Sequence, residues 1–282
     1  MQLETRTYQK EHNKSLVNYL KESLADVYNS RYLAKQLAVR DIKAQYRQSY
    51  LGILWAFIMP LTTAFVWVFL NGSGTVKLTD TGVAYPLFAF TGTLIWSMLN
   101  DAINAPIQNT LAAKGILSKI NFPKEALIIS GIYKLLFNSS VKLVLLLFFL
   151  VFYGVGFKLS LVWLPIVLLG VLCVGTTLGL LITPLGMLYK DVAKVVNMGL
   201  SLVMYVTPVV YVVPKESGVM RTLMHLNPFT PLIVTVKNMA FGTSPEYLIP
   251  YLVIVLCCLP LGALALLFYR MSIPVIVERM SA

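Results

Sequence analysis

The sequence predicts an all-α integral membrane protein with six transmembrane helices, an N-terminal amphipathic interfacial helix and two short re-entrant helices between spans five and six. Two observations lead to this fold class. Of the 282 residues, 57% are hydrophobic and only 12% are charged, whereas a soluble domain has about 25% charged residues. The apolar residues also form runs of about 20 residues, the length with which a helix crosses a hydrocarbon core.

Three parts follow one another along the chain. Residues 1–31 are polar and mixed in charge, without the apolar core of a signal peptide, and we interpret them as a cytoplasmic arm. Residues 32–49 form the predicted interfacial helix. Residues 50–282 form the predicted six-helix transmembrane domain, with a cytoplasmic C-terminus.

The interfacial helix, Tyr32–Ser49, mixes cations with apolar residues. That mixture is typical of a helix that lies flat on a membrane with its cations toward anionic headgroups. Its candidate functional residues are Lys35, Arg40, Asp41, Lys43, Tyr46 and Arg47. Because a long apolar run begins at Leu51, the chain is expected to lie along the membrane and then to enter it.

The predicted spans are six apolar runs. They are Leu51–Leu70, Val83–Leu99, Ala126–Tyr153, Leu161–Leu188, Val192–Val213 and Leu248–Tyr269. Lysine and arginine are concentrated in the N-terminal arm and in the loops on the same side of the membrane, which predicts that both termini are cytoplasmic. The same topology accounts for the net charge of +11, so no nucleic-acid partner is expected.

The predicted outer loop Pro214–Tyr247 is neither short nor strongly polar. Val219–Leu226 and Leu232–Phe241 are helix-compatible segments within it. Two short helices that dip back into the membrane fit this composition, and they would line a pathway because irregular backbone at that depth needs protein or water around it. The alternative is a loop packed on the outer surface. The candidate exit residues are Asn227, Pro228 and Pro231.

A few charged residues fall inside the predicted spans. Asp101 closes the second span, and Lys134 and Lys142 lie in the third. We expect Asp101 to pair with Lys134 near the cytoplasmic end, although Lys134 alternatively extends its ammonium to the interface. Lys142 is a candidate for facing an aqueous path.

Aromatic residues crowd the first two spans and recur in the fifth. The candidates are Trp55, Phe65, Trp67, Phe69, Tyr85, Phe88, Trp96, Tyr205 and Tyr211. Rings at span ends are typical of an interfacial belt. The alternative is that some rings face a pore and stack on sugars. Phe65, Trp67 and Phe69 are not all expected on one face, since helix neighbours recur at three or four positions.

The motifs of enzymes are missing from the sequence. It has no phosphate-binding loop, no His-Glu-x-x-His and no Gly-x-Ser-x-Gly. Its two histidines, His12 and His225, fall on opposite sides of the predicted membrane, so we expect neither a metal site nor a catalytic centre. Energy for active transport would come from another polypeptide or from an ion gradient.

The loop between spans two and three suggests a partner protein. A short helix, Thr110–Leu117, exposed at the membrane base would fit a groove in a soluble motor, and the alternative is a plain positive-inside loop. The candidate residues for coupling to such a motor are Thr110, Leu111, Lys114, Leu117, Lys119, Phe122 and Pro123.

Five motifs in order resemble one family. They are Arg40–Trp55 (RDIKAQYRQSYLGILW), Lys119–Pro123 (KINFP), Leu188–Val192 (LYKDV), Thr207–Tyr211 (TPVVY) and Leu226–Pro231 (LNPFTP). Together they resemble the type-2 ABC exporter permeases for polysaccharides, the O-antigen, teichoic acid and capsule translocators. Lys190-Asp191 departs from the commoner Arg-Asp of that family but keeps a cation.

This resemblance implies a transport subunit rather than an enzyme. Two copies would form a pore in the bacterial cytoplasmic (inner) membrane above two copies of a separate ABC ATPase. ATP and Mg would bind that partner, with no cofactor in this chain, and a lipid-linked glycan would be the substrate. Thr110–Leu117 would be the coupling helix, Tyr32–Ser49 would contact the ATPase and frame glycan entry, and the re-entrant pair would cap the exit. A type-2 ABC permease for drugs or lipids and a membrane-embedded glycan or lipid enzyme are the alternatives, and the identity of the glycan stays open.

Overall fold

The computed structural model describes residues 16–47, 50–74, 81–117, 122–189, 191–214 and 218–281. Most of these residues are helical, and no strand occurs within the described ranges. The helices are α1 (Leu16–Asn29), α2 (Arg31–Arg47), α3 (Trp55–Gly72), α4 (Tyr85–Ala112), α5 (Lys114–Leu117), α6 (Glu125–Phe152), α7 (Ser160–Leu188), α8 (Asp191–Val206), α9 (Val219–Leu226), α10 (Phe229–Phe241) and α11 (Leu248–Ser281). A single 3-10 turn, Gly52–Leu54, leads into α3.

Among the described helices, three are long and apolar enough to cross a membrane. These are α6, α7 and the part of α11 up to Glu278. Shorter apolar helices occupy Phe57–Gly72 and α10. The all-helical integral membrane class is therefore confirmed.

Three predicted spans have different ends in the structure. Helix α11 continues beyond Tyr269 to Ser281, because Arg270 is paired with Glu125 and Asp26 and need not end the helix. Helix α4 continues beyond Leu99 to Ala112, because the polar residues after Leu99 face a cleft inside the protein and need not end the helix. Helix α8 ends at Val206, before the predicted Val213, where the chain turns at Thr207 and Pro208.

Helix α7 is the centre of the bundle and packs between α4 and α11. Its approach to α4 depends on two glycines one turn apart. A Cβ on Gly175 would lie 2.5 Å from the Cβ of Ala102, and one on Gly179 would lie 2.2 Å from the carbonyl oxygen of Ile103. Small residues at such positions let two helix backbones come close together, so α4 is held firmly against α7.

The two short helices between α8 and α11 have different surroundings. Helix α10 is largely buried and packs against α4, α7 and α11, with Ile233 and Val236 fully enclosed. Lys158 donates a hydrogen bond of 2.6 Å to the carbonyl of Phe241 and so caps the C-terminus of α10. In α9, by contrast, Met224 is the buried residue and the remaining positions are partly or fully exposed. Helix α10 therefore belongs to the core, and α9 lies on its surface.

The first two helices pack along one end of the bundle, which we call the α1 end. Ala34 and Ala38, one turn apart on α2, are buried where α2 packs on α6. The cations of α2 face outward; they are Arg31, Lys35, Arg40, Lys43 and Arg47. The predicted amphipathic character of Tyr32–Ser49 is present in α2. Ser49 and the side chain of Tyr46 lie outside the described residues.

Helix α1 is fixed to the bundle by a charge cluster. Arg270 of α11 lies 2.6 Å from the carboxylate of Glu125 and 2.8 Å from that of Asp26, measured from Nη1 in both cases. Ser23 donates a further hydrogen bond to Glu125 at 3.2 Å. Part of the predicted N-terminal arm is thus a helix docked on α6 and α11.

Candidate polar cleft

A cleft of about 560 Å³ opens between α3, α4 and α8. Its lining residues are Met59, Pro60, Thr63, Thr93, Trp96, Ser97, Asn100, Asp101, Asn104, Gln108, Asn197, Ser201, Met204 and Tyr205. Hydroxyl and amide groups dominate this wall, which is unusual for helices otherwise suited to lipid. The cleft is the candidate functional site.

Helical spacing explains why so many polar groups share this wall. On α4, Thr93, Ser97, Asp101, Asn104 and Gln108 follow one another at intervals of three or four residues. Residues at that spacing lie on one face of a helix. At ~1.5 Å per residue the stripe is about 22 Å long. On α8, three further lining residues recur at every fourth position; they are Asn197, Ser201 and Tyr205.

An amide network connects the two polar faces. The Nδ2 of Asn104 donates to the Oδ1 of Asn100 at 2.6 Å and to the Oδ1 of Asn197 at 3.0 Å. Asn197 in turn donates to the carbonyl of Ala193 at 2.8 Å. The Oδ1 of Asn104 is buried and has no hydrogen-bond partner within the described part of the chain.

The charged residue of the cleft is paired differently from the sequence-based expectation. The carboxylate of Asp101 lies 2.6 Å from the ammonium of Lys142, which also donates to Ser97 at 2.6 Å. The expected Asp101–Lys134 pair is wrong. Because α4 continues past Asp101, this residue lies near the middle of a 28-residue helix, level with Lys142 in the middle of the 28-residue α6.

Lys134 has another partner. Its ammonium lies 3.1 Å from the carboxylate of Asp41 on α2, which also accepts a hydrogen bond of 2.8 Å from Arg40. Partial burial raises the pKa of Asp41, but the hydrogen bonds and positive charges of Arg40 and Lys134 outweigh burial and leave it below the ordinary value of 3.8. The pair connects α2 to α6.

Two of the nine candidate aromatics, Trp96 and Tyr205, line the cleft. Trp96 is only 5% exposed and meets the ring of Phe229 edge-on, with centroids 6.0 Å apart. Tyr205 is 61% exposed, so its ring is available for stacking.

The other seven candidate aromatics have different environments. On α3, Phe65 and Phe69 are exposed and Trp67 packs against the core, so the three do not share a face, as predicted. Trp55 is also exposed. Phe88 is buried, whereas Tyr85 and Tyr211 are half-buried against the core.

The candidate coupling segment divides into two parts. Thr110 and Leu111 belong to the last turn of α4, and the buried hydroxyl of Thr110 bonds with the carbonyl of Pro106 and the hydroxyl of Tyr269. The separate helix α5 has an exposed Lys114 and a buried Leu117. Phe122 and Pro123 are half-buried, and Lys119 lies outside the described residues.

The candidate exit residues fasten α10 to the turn after α8. The Nδ2 of Asn227 donates to the hydroxyl of Thr207 at 2.8 Å, and its Oδ1 accepts from the backbone N–H of Phe229 at 2.9 Å. Pro228 is exposed just before α10, and Pro231 is buried in its first turn.

A buried lysine holds the same turn from the opposite side. Lys237 donates to the carbonyls of Pro208, at 2.9 Å, and Val209, and its ammonium lies 3.7 Å from the ring centroid of Phe88. A Cβ on Gly92 would lie 1.8 Å from the carbonyl oxygen of Val209. The turn therefore packs directly onto the backbone of α4.

The comparison with known families decides the class of the protein. The family described as ABC-2 type transporter matches residues 32–241. The chain belongs to the ABC-2 type transporter family. The matched segment runs from α2 to the end of α10, so every helix that lines the cleft of this ABC-2 type transporter lies within it.

Individual relatives carry a more specific name. An "O-antigen export system permease protein RfbA" of Myxococcus xanthus is 27% identical over 212 residues, covering 74% of this chain and 80% of that protein. Two proteins of the same name from Klebsiella pneumoniae are each 24% identical, over 225 and 230 residues. They cover 78% and 80% of this chain, and 85% and 87% of their own lengths.

Sequence reasoning missed much of the cleft of this ABC-2 type transporter. The lining residues that it did not select include Thr63, Thr93, Ser97, Gln108, Asn197 and Ser201. A signal for them was present, since polar residues recur at helical spacing through α4 and α8.

Proposed function

We propose that this chain is the permease subunit of an ABC exporter that moves a lipid-linked polysaccharide, O-antigen-like or teichoic-acid-like, across the bacterial cytoplasmic membrane. The polar cleft carries this proposal. A polymer covered in hydroxyl groups needs a continuous row of hydrogen-bonding groups to replace water. The polar stripe of α4, about 22 Å long, supplies such a row. Tyr205 adds an exposed ring of the kind on which sugars stack.

The permease would act as a homodimer. The cleft is bounded by α3, α4 and α8 of one chain, and a second copy facing it would close the open side into a conduit. Exposed apolar side chains occur on the same helices; they include Phe65 and Phe69 on α3 and Met198 and Leu202 on α8. Their burial between two copies, or in lipid, would remove apolar surface from water.

ATP would be hydrolysed with Mg by two copies of a separate ABC ATPase at the α1 end. The exposed Lys114 on α5 and the cations of α2 are candidates for that contact, with Phe122 and Pro123 beside them. Thr110 and Leu117 would support the contact from within, because both are buried in this chain.

In the proposed topology α3, α4, α6, α7, α8 and α11 are the six spans and both termini are cytoplasmic. Helices α9 and α10 would form the re-entrant pair near the outer face, with Asn227, Pro228 and Pro231 at the exit. The burial of α10 among α4, α7 and α11 supports this arrangement, since a buried helix would cap a pathway better than a solvated loop.

The proposal is tested by deleting the gene from its host and following the lipid-linked glycan. Export should stop and the glycan should accumulate on the cytoplasmic side. The wild-type chain should restore export only when the partner ATPase is catalytically active. If glycan export is unchanged in the deletion strain and the transport of a lipid or drug is altered, the chain would instead be a type-2 ABC permease for drugs or lipids.

Two variants test the role of the cleft. Asn104→Leu removes the amide that links α4 to α8 and should reduce export at equal protein level. Val144→Leu changes an exposed residue of α6 outside the cleft and should leave export unchanged. Equal export by the two variants would argue against the cleft as the path of the glycan.

A further inference from the structure

The cleft has an unusual charge distribution for a protein with a net charge of +11. Within the described residues that line it, Asp101 is the only one with a formal charge. The remaining polar groups are hydroxyls and carboxamides; they come from Thr63, Thr93, Ser97, Asn100, Asn104, Gln108, Asn197, Ser201 and Tyr205. Such groups both donate and accept hydrogen bonds, so they match the hydroxyl groups of sugars.

The cation that pairs with Asp101 is Lys142, which is buried and does not line the cleft. The side chain of Lys142 is 6% exposed, and its ammonium is directed to Asp101 and Ser97, each at 2.6 Å. The carboxylate of Asp101 is itself 46% exposed. A ligand in the cleft therefore meets the carboxylate, whereas the ammonium is already occupied by two protein oxygens.

Basic residues lie on other surfaces. The cations of α2 are exposed at the α1 end; they are Arg31, Lys35, Arg40, Lys43 and Arg47. On α8, Lys194 is exposed near the start of the helix, beside Asp191 at 3.6 Å, and does not line the cleft. The excess positive charge is thus available to a membrane surface or a partner protein, and the path itself contains no exposed ammonium or guanidinium among its described lining residues.

A polymer with an anion in every repeat would be poorly matched to this wall. Each phosphate or carboxylate would lose its hydration without gaining a contact to a cation. It would also be repelled by the carboxylate of Asp101, and such repulsion between like charges disfavours binding of an anionic ligand. Proteins that recognise phosphate usually present arginine or lysine to it. An uncharged sugar loses only hydroxyl hydration, which the amides and hydroxyls replace.

We infer that the repeating unit accepted by this cleft is an uncharged, hydroxyl-rich glycan, and that polymers with a phosphate or carboxylate in each repeat are poor substrates. This inference rests on the proposed function and narrows its substrate class to neutral polysaccharides. It concerns the repeating units, which occupy the cleft in succession, and not the anchor, which passes once.

The test uses this chain reconstituted with its partner ATPase in lipid vesicles. Two probes carry the same polyprenyl diphosphate anchor and the same terminal fluorophore, one on a neutral mannose oligomer and the other on a mannuronic acid oligomer of equal length. The measurement is the ATP-dependent rate at which the fluorophore becomes protected from a quencher that does not cross the membrane. We expect the neutral probe to move roughly tenfold faster or more.

A change of charge in the cleft provides the decisive variant. Ser201 is exposed, and its hydroxyl bonds to the carbonyl of Asn197 within its own helix. Ser201→Lys should raise the rate of the anionic probe relative to the neutral one. Ser201→Gln has a long but uncharged side chain and should keep the wild-type preference.

The outcomes separate this inference from the proposed function. Equal rates for the two probes in the wild-type transporter, or a preference that Ser201→Lys leaves unchanged, would overturn the inference and leave polysaccharide export standing. ATP hydrolysis without movement of either probe would overturn the proposed function itself.

Discussion

The guanidinium of Arg270 lies 2.6 Å from the carboxylate of Glu125, where α11 meets the start of α6. Glu125 is 4% exposed at its side chain, and Asp26 of α1 is 2.8 Å from the same guanidinium nitrogen. One arginine therefore holds together three helices that are distant in sequence. The docking of the N-terminal helix depends on it.

Replacing Arg270 with methionine should destabilise the protein markedly. The change leaves the buried carboxylate of Glu125 without its cation, which typically costs about 3–5 kcal/mol. We expect a clear fall in the thermal midpoint of the detergent-solubilised protein and faster proteolysis within α1. Lys194→Met is the matched control, because the Lys194–Asp191 pair is more than 80% exposed on both sides and such pairs contribute little. Equal effects of the two substitutions would contradict this account.

The Asp101–Lys142 pair should respond unequally to loss of its two members. Asp101→Asn leaves a buried ammonium with neutral oxygens around it and no counter-charge, whereas Lys142→Met leaves a half-exposed carboxylate that water can reach. Leaving a buried charge unpaired is the more costly of these. The thermal midpoint should therefore fall further for Asp101→Asn than for Lys142→Met. The variant with both substitutions should have a higher thermal midpoint than Asp101→Asn alone. The opposite order would show that Lys142 is hydrated.

Gly92→Ala should prevent correct packing of the turn after α8. The added Cβ would lie 1.8 Å from the carbonyl oxygen of Val209 and 2.8 Å from the side chain of Lys237, and overpacking of this kind costs about 1–3 kcal/mol or more. The control is Gly199→Ala on α8, where a Cβ meets nothing within 4 Å. Alanine in a helix is favoured over glycine by about 0.5–1 kcal/mol. Yield of monodisperse protein and thermal midpoint should separate the two variants.

The contact between α2 and α6 should depend on pH only under acidic conditions. The pKa of Asp41 is lower in the folded protein than its ordinary value of 3.8, so its ion pair with Lys134 stabilises the folded state above that pH. The contribution is lost as pH falls through the lowered pKa. The contribution of this pair to hydrogen-exchange protection in α2 should therefore be constant between about pH 5 and pH 8.

Asp41→Asn is the reference for that measurement. It should speed exchange in α2 by a modest, constant factor at neutral pH, since a partly exposed pair contributes up to about 1 kcal/mol. The difference from wild type should close below pH 3.8. If the ratio of the exchange rates of Asp41→Asn and wild type changes between about pH 5 and pH 8, the pH dependence belongs to another group.

Local pattern was enough to predict most helices. The segment Val219–Leu226 was predicted with the bounds that α9 has, and Ala126–Tyr153 differs from α6 by one residue at each end. Helix length and apolar composition determine such elements within the chain itself. The end of α4 was harder to predict, because Asn100 and Asp101 resemble the polar end of a span when their neighbours in space are unknown.

Pairing across helices was beyond the reach of the sequence. Lys134 and Lys142 lie on the same helix, and nothing local distinguishes which of them meets Asp101. The choice depends on the relative height of α4 and α6 and on the position of α2, which brings Asp41 to Lys134. The same holds for the cleft, since it arises from three helices whose polar faces converge only after folding.

The anchoring of the turn at Pro208 and Val209 has a mechanical consequence. Lys237, Asn227 and the close approach at Gly92 fix the end of α8 that carries Val206. The opposite end, near Asp191, is exposed. A force applied near Asp191 would rotate α8 about its fixed end. The distance between α8 and α4 would then increase most at Asn197 and least at Tyr205.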